Sequence, residues 1–227
     1  MTSTLPDQRE FIEFLLETKV LSFGDFQTKS GRRTPYFMDF ARFSRGRDVA
    51  RLGSFYARAI RARLGDGFDV LFGPAYKGIP LVVASALAFA SEHGRDVPFC
   101  FNRKEEKDHG EGGRLVGHSL QDGDRVVIVE DVTTAGTSIR ETVPLLRARA
   151  RVELAGLVVA VDRQERGTGE WSALRELERE FAMPCFAIVT IDQIVAALAL
   201  EQPPGRTRLD DEVLTRIRDY RALYGGR

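Results

Sequence analysis

The chain has 227 residues, with 43% hydrophobic and 29% charged side chains, which suits a sizeable globular domain and excludes a disordered chain or a disulfide-dense mini-protein. Lys+Arg and Asp+Glu both number 33, so no net field draws it to nucleic acid or to an anionic membrane. The longest apolar stretch, Ile79–Ala90, is too short to span a bilayer, and Met1–Arg9 lacks the layout of a secretory signal. Cys100 and Cys185 stand far apart without ligand spacing, so buried thiols and a cytoplasmic location are expected.

In chain order, Pro6 to Lys19 carries apolar residues at helical spacing. Ser22–Phe40, aromatic and broken by Gly24, Gly31 and Pro35, reads as two short strands around a turn. Arg47–Leu64 is an amphipathic helix that stops at Gly65. An alternation follows: strand Phe68–Phe72, helix Ile79–Glu92, strands Val97–Phe101 and Arg125–Val129, and helix Thr137–Ala150 bent at Pro144. Strand Leu154–Val161, helix Ser172–Phe181 and strand Cys185–Thr190 complete it. Continuously apolar strands are covered on both faces, which predicts a mostly parallel α/β sheet between helices. Arg103–Leu115 is a charged, glycine-bearing loop; Glu201–Arg208 is a Pro-Pro-Gly linker before a terminal helix, Asp210–Tyr224. His93 and His118 are expected on surface turns. The expected organisation is one domain over 1–227, with a small N-terminal hood (1–46), an α/β core (47–200) and a C-terminal linker and helix (201–227).

The buried run Val126–Val129 leads straight into Glu130-Asp131-Val132-Thr133-Thr134-Ala135-Gly136-Thr137-Ser138. In an open parallel sheet, ligands sit beyond the carboxyl end of such a strand. Small residues from Thr133 to Ser138 expose backbone N–H groups, add hydroxyl donors and open a helix whose N-terminus is partly positive: a phosphate cradle. Without a Walker lysine it is no triphosphate loop of the familiar kind. The two acids would repel phosphate but suit the hydroxyls of a sugar whose phosphate lies in the loop. The same letters alone could also serve as an ordinary helix cap.

The full string resembles the signature of the type I phosphoribosyltransferases. Three more strings resemble the orotate phosphoribosyltransferase branch of that family: Phe26–Phe37, Phe72–Pro80 and the loop Phe101–Gly113. Asp162–Gly167 matches its segment after the next strand, so the resemblance runs from Phe26 to about Gly167. Four of the five lysines, Lys29, Lys77, Lys104 and Lys107, fall in these strings; Lys19 ends the first helix.

The resemblance implies transfer of a phosphoribosyl group from phosphoribosyl pyrophosphate (PRPP) to orotate, on a type I phosphoribosyltransferase fold with a mobile lid. It implies that Glu130 and Asp131 bind the ribose hydroxyls, and that Val132, Thr133, Thr134, Ala135, Gly136, Thr137 and Ser138 hold the 5′-phosphate. Lys29, Tyr76 and Lys77 would contact PRPP, and the lid residues Arg103, Lys104, Lys107 and His109 would act on the leaving pyrophosphate. Phe37 and Met38 would pack against the orotate ring and bind it through backbone groups, while Thr134 and Arg163 would bind orotate, the Arg fork matching its carboxylate. Mg²⁺ would be held mainly by substrate and water, with no dedicated protein ligands. The family is homodimeric, with the lid of one subunit reaching its partner's site. Transfer to another base, or a non-catalytic PRPP sensor on the same fold, are the alternatives; the intact lid and zero net charge favour the enzyme.

Overall fold

The computed structural model describes residues 6–27, 31–103, 115–199 and 209–227. Helix α1 (Pro6–Glu17) leads into a two-stranded antiparallel sheet of β1 (Leu21–Gln27) and β2 (Arg33–Met38), paired from Leu21↔Met38 to Gln27↔Arg33 with a register shift between Phe23 and Phe26. Helix α2 (Gly46–Leu64) follows, and then the main sheet. Its strands are β3 (Val70–Gly73), β4 (Phe99–Asn102), β5 (Leu115–Gly117), β6 (Arg125–Glu130), β7 (Glu153–Asp162) and β8 (Cys185–Thr190). Their order across the sheet is β5-β4-β3-β6-β7-β8; every pairing is parallel except β4 with β5.

The apolar runs have the predicted cause. Along β6, Val126 and Ile128 join one core with Val70, Phe72, Leu157 and Val159, whereas Val127 and Val129 point into the other with Leu71 and Val158. Helices α4 (Thr137–Arg147) and α5 (Ala173–Phe181) cover the first core through Ile139, Val143, Leu146, Leu174 and Leu177. The second is covered by α1, α2, α3 (Gly78–His93), α6 (Ile191–Ala199) and α7 (Asp211–Tyr224). Each fully buried Val or Ile contributes roughly 1.5–3 kcal/mol, so the strand under the site is held from both faces.

Several boundaries differ from expectation for local reasons. Helix α4 contains Pro144 yet ends at Arg147, because the chain tightens there: Arg149 N donates to Leu146 O at 3.0 Å. The short edge strand β5 and the helix α6 are additions. In α6, Thr190 Oγ1 accepts from Gln193 N at 3.2 Å while Gln193 Oε1 accepts from Thr190 N at 2.9 Å, a reciprocal capping box. His93 closes α3 rather than sitting in a turn; its ring lies 5.6 Å from that of Phe89. Both thiols are free: Cys100 is buried and Cys185 half-buried.

Candidate active site

From β3 the chain crosses to β4 and β5 on one side; from β6 it proceeds to β7 and β8 on the other. The crevice between the carboxyl ends of β3 and β6 is therefore the topological switch point of the sheet, where open α/β folds bind ligands. Two strand-to-helix turns meet there. The first, 74–77, is closed by mutual glycine contact: a Cβ on Gly73 would lie 2.3 Å from Gly78 O, and one on Gly78 would lie 2.8 Å from Gly73 C. Its backbone is fixed further by Ala75 N donating to Asn102 Oδ1 at 2.7 Å.

The second turn starts with the two acids, both buried. Glu130 Oε1 accepts from Asp131 N at 3.1 Å, and its Oε2 accepts from Ser138 Oγ at 2.9 Å. Asp131 Oδ1 accepts from Val132 N at 2.7 Å, and Lys77 Nζ reaches across the crevice to Asp131 Oδ2 at 2.9 Å. Burial first, and the neighbouring Asp131 charge second, raise the Glu130 pKa to about 7 from an ordinary 4.5. Burial alone would lower the Lys77 pKa, but its bond to Asp131 wins and raises it. Beneath them the Tyr56 hydroxyl, inside the core, donates to Glu130 O at 2.6 Å and pins the strand end.

Beyond the acids the chain bends through 132–136 into α4. Gly136 takes the left-handed conformation (φ 74°), and its N–H donates to Thr133 Oγ1 at 3.1 Å. Thr134, Thr137 and Ser138 are exposed, and the first-turn N–H groups of α4 have no acceptor within the helix. An open cleft of about 1120 Å³ lies alongside, lined by Pro74, Ala75, Asn102, Arg103, Ser138 and Glu141 among others. The structure thus brings the cradle, Tyr76, Lys77 and Arg103 to one edge; Tyr76 is exposed there.

Arg163 follows β7 on the same edge and is buried, its guanidinium 5.1 Å from the centre of the Tyr36 ring. Burial opposes its charge, and the Glu165 carboxylate more than offsets that, so its pKa is raised. Phe37 and Met38 lie on opposite faces of β2: Phe37 is exposed against Phe26, and the Met38 side chain enters the core. Lys29, Lys104, Lys107 and His109 lie outside the described residues.

A model of the phosphoribosyl transferase domain family matches residues 44–181. The orotate phosphoribosyltransferase of Vibrio vulnificus YJ016 is 52% identical over 218 residues, covering 96% of this chain and 98% of that protein. That of Clostridium acetobutylicum is 50% identical over 218 residues, with 96% and 97% covered. The crystal structure of the Francisella tularensis enzyme of the same name superposes with a TM-score of 0.83 at 35% identity, over 96% of this chain and all of that one. The chain belongs to the orotate phosphoribosyltransferase family.

For an orotate phosphoribosyltransferase, three further residues shape this edge: Tyr56, and Asn102 and Glu165 from within the matching strings, to which the sequence alone assigns no role. Of these only Tyr56 offers a signal, a phenol on a buried helix face that needs an acceptor. Among the described residues no three His, Cys, Asp or Glu side chains stand together as a metal cage.

Proposed function

We infer that the chain catalyses transfer of the 5-phosphoribosyl group from PRPP to orotate, giving orotidine 5′-monophosphate and pyrophosphate, a step of pyrimidine biosynthesis. The observation that carries this is the pair of buried acids facing Lys77 across the switch-point crevice, directly before the cradle that opens α4.

In this reading Glu130 and Asp131 accept hydrogen bonds from the ribose hydroxyls, and the amides and hydroxyls of 132–138 hold the 5′-phosphate. Lys77 shifts from Asp131 towards the pyrophosphate once sugar hydroxyls take its place, while Tyr76 and Lys29 flank the same group. Orotate lies against Phe37 and the backbone at Met38, with its carboxylate on Arg163 and a contact to Thr134. The orotate nitrogen then bonds to ribose C1 as the C1–oxygen bond to pyrophosphate breaks; positioning and charge stabilisation supply the acceleration. Arg103 from the cleft of the same chain, and Lys104, Lys107 and His109 from a lid that excludes water and, in a homodimer, comes from the partner subunit, meet the departing oxygen as it gains charge. Mg²⁺ carried by pyrophosphate and ribose oxygens would neutralise part of that charge. The two carboxylates at the crevice suit contact through water better than a protein-built cage. Among the described residues no helix is long and apolar enough to cross a membrane.

The test is an assay with PRPP, Mg²⁺ and, in parallel, orotate, uracil or adenine. Orotate is expected to be converted and the other two bases left unreacted. No product from orotate would overturn the assignment.

A further inference from the structure

Glu165 is a buried carboxylate that the mechanism above does not use. Its Oε1 accepts from Arg163 Nε and Nη2 at 3.0 and 2.6 Å and from the Tyr36 hydroxyl at 2.8 Å; its Oε2 accepts from Arg32 Nη1 at 3.3 Å. Tyr36 is a secure donor, because burial and the Glu165 charge raise its pKa. One carboxylate therefore ties the segment after β7 to β2. The C-terminal helix covers the junction: the Tyr220 ring meets Tyr36 edge-on at 5.6 Å, and Arg32 lies 4.4 Å from the centre of the Tyr224 ring.

One feature of this cluster points to a ligand: Glu165 takes only the Nε–Nη2 edge of the buried Arg163. A guanidinium has five N–H donors in a plane, so the Nη1–Nη2 edge remains to form a second two-pronged contact with a carboxylate. Among the described residues Arg163 has no hydrogen-bond partner besides Glu165.

We propose that Glu165 is the positioning residue of base selection: by clamping one edge of Arg163 it aims the other at the carboxylate of an anionic pyrimidine. This rests on the reading that Arg163 binds the orotate carboxylate. Tyr36 holds Glu165 at the correct reach, so hydrogen bonds from β2 set the direction of a fork that follows β7.

Steady-state KM values for orotate and PRPP, measured separately on the full chain, test the proposal. Glu165→Ala should raise the orotate KM about tenfold or more while leaving the PRPP KM within about twofold. Glu165→Gln, which keeps an acceptor oxygen at the same reach, should bring the orotate KM back to within about threefold of wild type. An unchanged orotate KM in Glu165→Ala, an equal rise in both KM values, or no recovery in Glu165→Gln would overturn it. If Glu165→Ala does not fold, Tyr36→Phe decides: it should raise the orotate KM about threefold and leave that for PRPP unchanged. No orotate effect there sinks the idea. A wild-type chain that converts no orotate refutes the assigned function and the proposal with it. An active wild type with indifferent variants refutes the proposal alone.

Discussion

Glu130→Gln should stabilise the ligand-free protein while abolishing its use of PRPP. The carboxylate is only 7% exposed and sits beside Asp131, so its ionisation is delayed to about pH 7 in the folded chain against 4.5 ordinarily. A folded-state pKa raised in this way means that ionisation works against folding. The penalty is absent below about pH 4.5, grows as pH rises from there and is essentially complete above about pH 7. At about 1.4 kcal/mol for each tenfold change in proton affinity, the interval corresponds to about 3 kcal/mol at pH 8. Gln fits the same two partners: its oxygen accepts from Asp131 N, and its amide donates to Ser138 Oγ, as the protonated acid would. For a chain of this length that predicts a Tm roughly 6–12 °C above wild type at pH 8, shrinking to about a quarter of that at pH 5. Thermal unfolding at both pH values, followed by circular dichroism, checks it. A gain of equal size at both, or a loss at pH 8, would refute the argument that the site stores an unfavourable charge for its substrate.

Arg163→Leu should weaken orotate by about 2–5 kcal/mol and PRPP far less, read as separate KM values; equal weakening would show that Arg163 holds the fold. Tyr56→Phe leaves the Glu130 carbonyl without its buried donor and should cost about 1–3 kcal/mol in urea unfolding, and an unshifted midpoint would mean that the bond contributes nothing. Mixing inactive Lys107→Ala and Asp131→Asn proteins under subunit exchange should restore about one quarter of wild-type activity if lid and cradle come from different subunits. Verified mixed dimers without activity would place each complete site within one chain.

The sequence made β6 and its cradle legible because a buried apolar run, two acids and a string of small residues follow one another without interruption, so local chemistry and fold position coincide. Helix α6 was missed because it continues β8 without a loop, and the apolar run hides the change of period; Thr190 and Gln193 at capping-box spacing were the available sign. Strand β5 is three residues long and owes its pairing to β4, so it has no periodicity of its own. Adjacent residues on β2 face opposite ways, so Phe37 is exposed while the Met38 side chain enters the core, a difference that the string itself does not display. The environment of Arg163 was not readable at all, since two residues that share Glu165 with it, Arg32 and Tyr36, lie 133 and 129 positions from Glu165.

The antiparallel pairing of β4 with β5 has a consequence for the segment it encloses. Asn102 pairs directly with Leu115, so the chain between them leaves and re-enters the sheet at neighbouring points. The entropy of bringing those points together is offset by the ladder, and doubling the length of such a loop costs only about 0.6 kcal/mol more. Stability therefore places little restraint on how many residues lie between Asn102 and Leu115. Asn102 also holds the 74–77 turn through Ala75, so the base of the loop cannot drift without disturbing that turn. Length variants of this segment should therefore fold about equally well, with thermal unfolding as the check.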